Sequence, residues 1–133
     1  MVPSPAAREN GPSVLLVEDE VLIRSLFAEA LRDASCQVVE AARADEALAY
    51  IDAGGAVDVV FSDVRMPGSL DGVELARQLG HLRPSLPVIL TSGHLRLEDI
   101  GGLRLFLPKP YRIERAVAAV FEVLGREPPK GYL

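Results

Sequence analysis

Glu18, Asp19 and Glu20 directly follow the apolar run Val14–Val17. Asp63 closes a second apolar run, VDVVFSD. Thr91 and Ser92 close a third, LPVILTS, and Lys109 follows a fourth, LRLFLP. Carboxylates gathered at the end of a buried run repel one another and resist loss of water. A hard divalent cation removes that conflict. Mg²⁺ takes oxygen ligands, keeps several waters and commonly binds one or two carboxylates together with phosphate oxygens. With the cation in place, a phosphoryl group can approach an otherwise repulsive site. An Asp carboxylate can then act as nucleophile and form an aspartyl phosphate. The phosphoryl oxygens need a cation and a donor, which Lys109 and Thr91 offer. Glu20 stands one residue further on and is expected to face solvent. Each group alone has a plainer reading. The acidic pair could be a solvated loop, Asp63 a helix cap, Lys109 a surface charge, and Thr91–Ser92 a pair that satisfies backbone groups. Four such groups at the ends of four strands form a much stronger signal.

The elements that would position them alternate along the chain. Val14–Val17 reads as a short buried strand. Ile23, Leu26, Phe27, Ala30, Leu31 and Ala34 follow at helical spacing. CQVVEA is a second strand, and the Ala-rich stretch Ala44–Ile51 is a helix ended by Gly54 and Gly55. VDVVFSD is the third strand. Asp71 could cap a helix carrying Val73, Leu75, Ala76, Leu79 and Leu82. LPVILTS and LRLFLP are the fourth and fifth strands. Ile113, Val117, Val120, Phe121 and Leu124 mark a last helix. Apolar strands separated by amphipathic helices imply an α/β fold, with a parallel sheet covered on both faces. In such sheets ligands bind beyond the carboxyl ends of the strands, where the strand order reverses. That rule brings Glu18, Asp19, Asp63, Thr91 and Lys109 to one end of one sheet.

With 133 residues, 49% of them hydrophobic, the chain suits one domain with a buried core. The expected organisation is a flexible lead-in over residues 1–12, a folded unit over 13–125 and a tail over 126–133. No run reaches the length of a membrane span and no signal-peptide pattern opens the chain, so a cytoplasmic protein is expected. Cys36 is the one cysteine, which excludes an internal disulfide and reads as a small buried hydrophobe. A net charge of −5 argues against direct binding to nucleic acid. His81 and His94 stand alone and read as ordinary surface or loop residues.

Together VEDE, SDVRMPG, LTSG and FLPKPY resemble the receiver domain of two-component response regulators. The likeness spans about residues 13–125. It implies a flavodoxin-like three-layer sandwich, with five parallel strands in the order 2-1-3-4-5. It implies that Asp63 accepts a phosphoryl group from a histidine kinase or a histidine phosphotransfer protein. Asp19 and Asp63 would bind Mg²⁺ directly, with the backbone carbonyl of Arg65, and Glu18 would act through a metal-bound water. Thr91 would hydrogen-bond one phosphoryl oxygen and Lys109 would pair with another. Phe106 occupies the aromatic switch position, coupled to Thr91, although an aromatic on a strand can equally be core packing. Tyr111 is expected to pack at the start of the last helix. The resemblance also implies a cis Lys109–Pro110 bond.

This chain departs from the family pattern in three places. Glu18 replaces the more frequent Asp. MPGSLDG is one residue longer than usual. The stretch from Thr91 to Lys109 is short by several residues, which predicts a fourth helix that is short or mostly loop. Similar shortened receivers with TSG and KPY motifs occur fused to, or partnered with, sensor kinases.

The leading expectation is a phosphorylation-controlled switch whose output is contact with a downstream protein, unidentified from sequence. Self-association to a homodimer is left open. The alternative is that the chain is the receiver piece of a larger hybrid kinase or response regulator. A metal-dependent phosphatase acting through an aspartyl phosphate is a weaker alternative. Arg65 stands where such enzymes usually carry a second Asp, and no cap insertion is present. A nucleotide-binding module lacks its glycine-rich loop after the first strand. A constitutive interaction module is disfavoured because each site position carries a competent residue.

Overall fold

The computed structural model describes residues 11–93 and 105–129. The strands are β1 (Ser13–Val17), β2 (Gln37–Ala41), β3 (Val59–Asp63), β4 (Val88–Ser92) and β5 (Leu105–Pro108). The helices among the described residues are α1 (Val21–Asp33), α2 (Ala44–Asp52), α3 (Gly72–Leu82) and α4 (Ile113–Val123). All strand pairs are parallel, in the order β2-β1-β3-β4-β5. This is the flavodoxin-like sheet that the alternating pattern and the resemblance imply. The expected reduction of the fourth helix falls on residues 94–104, outside the described residues. Among the described residues no helix is long and apolar enough to cross a membrane.

Successive strand side chains point to opposite faces, and the core divides accordingly. Val14, Leu16, Val59, Phe61 and Ile89 pack with α1 and α4 on one face. Leu15, Val17, Val60, Val88 and Leu90 pack with α2 and α3 on the other. The central strands are buried on both faces, which is why they read as unbroken apolar runs. Two expected core positions face solvent instead. Leu26 is 53% exposed and Leu82 is 48% exposed. The buried stripe of α1 is Phe27, Ala28 and Leu31. Leu26 lies one turn along from exposed Leu22, on the helix edge beside that stripe.

Asp71 is the N-cap of α3, its side chain accepting the Glu74 N–H at 2.8 Å. The Gly72 N–H donates to the Val64 carbonyl at 2.8 Å. A Cβ on Gly72 would lie 2.3 Å from the Asp63 carbonyl oxygen and 2.8 Å from Val64 Cα. Only glycine lets α3 start this close to the end of β3. Gly80, on the same helix, is exposed with nothing within 4 Å of an added Cβ.

Two alanine substitutions on one helix should therefore have opposite signs. Gly72→Ala should destabilise the fold by about 1–3 kcal/mol, the usual cost of overpacking. Gly80→Ala should stabilise it by roughly 0.5–1 kcal/mol through helix propensity. Urea unfolding of both variants measures the pair. Equal stability in Gly72→Ala and wild type would contradict the close approach.

Candidate functional site

The sheet register assembles the site. Val17 pairs with Ser62, so Glu18 emerges from β1 beside Asp63 at the end of β3. Asp63 pairs with Thr91, and Ser92 pairs with Pro108, immediately before Lys109. Glu18, Asp19 and Asp63 offer carboxylate oxygens that all lie within 4.8 Å of one another. Glu18 and Asp63 are buried, whereas Asp19 and Glu20 are exposed. The Lys109–Pro110 peptide is cis. Lys109 Nζ donates to Asp63 Oδ2 at 2.6 Å, and the Arg65 N–H donates to Asp63 Oδ1 at 3.2 Å. Both oxygens of Asp63 are thus held, one of them by a cation.

Thr91 Oγ1 is buried and, among the described residues, has no hydrogen-bond partner. A buried hydroxyl left unpaired carries a desolvation cost of about 1–3 kcal/mol. A ligand oxygen arriving beside Asp63 would relieve it. The three carboxylates form an all-oxygen donor set, the chemistry that Mg²⁺ prefers. The residues present therefore fit both a hard cation and a phosphoryl group.

The charges of the site act on one another. Burial pushes the Glu18 carboxyl up to about 7; the Glu20 N–H opposes this, Asp63 adds to it and Lys109 opposes it. Burial works against the Lys109 ammonium, but its hydrogen bond to Asp63 and the charges of Asp63, Glu18 and Glu20 outweigh that. Lys109 is held above its ordinary range.

The other sequence candidates take these places. Phe106 is half-buried beside Leu90 in register and packs on the core that α2 and α3 cover. Tyr111 packs against Phe27 and Phe61, with ring centroids 6.5 and 6.0 Å away. Burial, with the charges of Glu18 and Asp63, pushes its hydroxyl up to about 12. His81 is exposed on α3, and His94 lies outside the described residues. Cys36 is buried, and burial raises its thiol to about 11, the condition of a structural cysteine.

Sequence reasoning missed Arg24. Its Nη1 donates to the Glu18 carbonyl at 2.8 Å and its Nε to Glu40 Oε1 at 3.3 Å. The available signal was slight. Arg24 stands four residues after Glu20, and Glu40 is the one charged residue in QVVEA.

The raised Glu18 carboxyl sets a pH dependence for the metal-free fold. Its folded value near 7 lies above the ordinary 4.5. Protonated Glu18 is accommodated, so stability is kept below about pH 4.5 and lost as pH rises through 7. Glu18→Gln removes the carboxylate but keeps an acceptor for the Glu20 N–H, which now reaches Glu18 Oε2 at 3.1 Å. In EDTA the variant should melt above wild type at pH 8, with the gain shrinking toward pH 5. No gain at pH 8 in thermal unfolding would refute the strain.

Comparison with known proteins identifies the family. Residues 14–121 match the family model described as response regulator receiver domain. The sensor kinase CckA of Brucella abortus is 38% identical over 123 residues, covering 86% of this chain and 13% of the kinase. The DNA-binding transcriptional regulator NtrC of Salmonella typhimurium is 37% identical over 112 residues, covering 80% of this chain and 24% of NtrC. The crystal structure of the receiver domain from the hybrid histidine kinase CckA superposes with a TM-score of 0.72 at 36% identity. It covers 84% of this chain and 98% of that one. The chain therefore spans less than a quarter of either curated relative, but nearly all of an isolated receiver. By sequence and by fold, the chain belongs to the response regulator receiver domains of two-component systems.

Proposed function

We propose that residues 13–125 form a phosphorylation-dependent switch in which Asp63 accepts a phosphoryl group from a histidine kinase or a histidine phosphotransfer protein. Receivers of this family are phosphorylated on an Asp and bind Mg²⁺ in an acidic pocket. The observation that supports Asp63 here is its position between Lys109 at 2.6 Å and the Glu18–Asp19 pair, beside the unpaired hydroxyl of buried Thr91.

Asp19 and Asp63 would hold Mg²⁺ together with the backbone carbonyl of Arg65, with Glu18 acting through water. The cation, when bound, would offset the charge of the incoming phosphoryl oxygens. An Asp63 oxygen forms the new P–O bond as the P–N bond of a donor phosphohistidine breaks; the electron pair stays on the ring nitrogen, and neutral imidazole leaves with the proton already on its other nitrogen. Lys109 transfers its hydrogen bond from Asp63 Oδ2 to a phosphoryl oxygen. Thr91 turns its hydroxyl onto another phosphoryl oxygen, and Phe106 follows it as the reporter of occupancy. The chain assists its own phosphorylation and dephosphorylation and turns over no external substrate. Output passes to a downstream protein by contact. The likeness to CckA, of which the matched region is 13%, favours a second reading, a receiver within a longer hybrid kinase. The chemistry at Asp63 is the same in both.

Incubation with Mg²⁺ and a small phosphodonor should place an acid-stable, base-labile phosphate on Asp63 alone. Undiminished label in Asp63→Asn would refute the assignment. Lys109→Ala should still accept phosphate, but more slowly. A charge-assisted hydrogen bond is worth about 1.5–3 kcal/mol, so the rate should fall about 10- to 100-fold. Wild-type labelling kinetics in Lys109→Ala would remove Lys109 from the mechanism.

A further inference from the structure

Arg24 lies outside the groups that do the phosphoryl chemistry, yet it binds the loop that carries two of them. The Glu18 residue is held on both sides. Its N–H donates to the Ala41 carbonyl at the end of β2 at 3.0 Å. Its carbonyl accepts Arg24 Nη1 at 2.8 Å. Arg24 is itself placed from two directions. Its backbone N–H donates to the Glu20 carbonyl at 2.9 Å in the first turn of α1. Its Nε reaches Glu40 Oε1 at 3.3 Å, and the other Glu40 oxygen accepts Arg32 Nη2 at 3.2 Å. The Arg24 side chain is only 18% exposed, unlike the surface partner Arg32 at 50%.

The carbonyl that Arg24 holds belongs to the peptide joining Glu18 to Asp19. The plane of that peptide sets the directions in which both carboxylates leave the chain. Mutual repulsion of carboxylates within 4.8 Å of one another works to turn the loop away from Asp63. A planar guanidinium can bond a carbonyl and a carboxylate at once and so resist that turn. An ammonium is a point charge without this fixed fork.

We propose that Arg24 is a positioning residue for the acidic pair: by tying the Glu18–Asp19 peptide to Glu40 on β2, it keeps both carboxylates facing Asp63 and sets the Mg²⁺ affinity of the site. This rests on the reading that the acidic cluster takes Mg²⁺. Charge and geometry act here with opposite signs. Removing a cation near the site favours Mg²⁺ by simple electrostatics, whereas releasing the loop disfavours it.

The test is calorimetric titration of the full chain with MgCl₂ in wild type, Arg24→Lys and Arg24→Ala, alongside thermal unfolding in EDTA. Groups that orient metal ligands typically change affinity by about 10- to 100-fold when lost. Arg24→Ala should bind Mg²⁺ about tenfold more weakly than wild type. Arg24→Lys, with the charge kept, should fall between them while melting close to wild type in EDTA. Should Arg24→Ala fail to fold, the Lys variant carries the decision. Affinity equal to wild type in Arg24→Lys, or tighter binding in folded Arg24→Ala, overturns the proposal. A wild-type chain that takes up no Mg²⁺ overturns the metal reading itself, and the role of Arg24 with it.

Discussion

Repulsion among Glu18, Asp19 and Asp63 is the constraint around which the structure is organised. Their carboxylate oxygens lie within 4.8 Å of one another, and two of the three residues are buried. Like charges at that range repel by roughly 3–4 kcal/mol at an effective dielectric near 20. The fold offers partial relief. Lys109 neutralises Asp63, the Glu20 N–H bonds Glu18, and burial shifts Glu18 toward its neutral form. What remains unrelieved is a demand for more positive charge, which a bound cation would meet.

The parallel sheet maintains this unfavourable cluster because its register leaves little freedom. Strands β1, β3, β4 and β5 deliver the acids, Asp63, Thr91 and Lys109 to the same end of the sheet, each at or just past the end of a buried run. Two packed layers fix the strands from both faces. Gly72 lets α3 begin directly against the carbonyl of Asp63, so β3 and the next helix are in backbone contact. Occupancy of the site would bear on Thr91 and Lys109 together, since they end adjacent strands. The half-buried Phe106 pairs with Leu90, one residue before the Thr91–Leu107 pair.

Much of this was legible in the sequence because the signals were local. Apolar runs that end in an acid, a hydroxyl or a lysine mark strand ends whether or not the fold is known. Asp71 was readable as a cap because an N-cap needs only a short acceptor ahead of an amphipathic stretch. Leu26 was misplaced among core residues because helical spacing identifies an apolar stripe without fixing its edge. Leu22 and Leu26 extend the stripe past the part that Phe27 and Leu31 bury. Arg24 escaped notice because its partner is a backbone carbonyl, which leaves no side-chain pattern. Its second partner, Glu40, becomes adjacent only through the β1–β2 register. The nearness of Tyr111 to the acids likewise depends on its packing against Phe27 and Phe61.

Every role proposed for the site depends on Asp63, Thr91 and Lys109 converging on a single phosphoryl group, with Mg²⁺ held alongside by the acids. Beryllofluoride mimics that group without requiring a kinase. Fluorine NMR of the chain with beryllofluoride should show bound resonances, distinct from free fluoride species, only when Mg²⁺ is present. They should be absent in Asp63→Asn. Bound resonances that persist in EDTA, or that survive in Asp63→Asn, would contradict the claim.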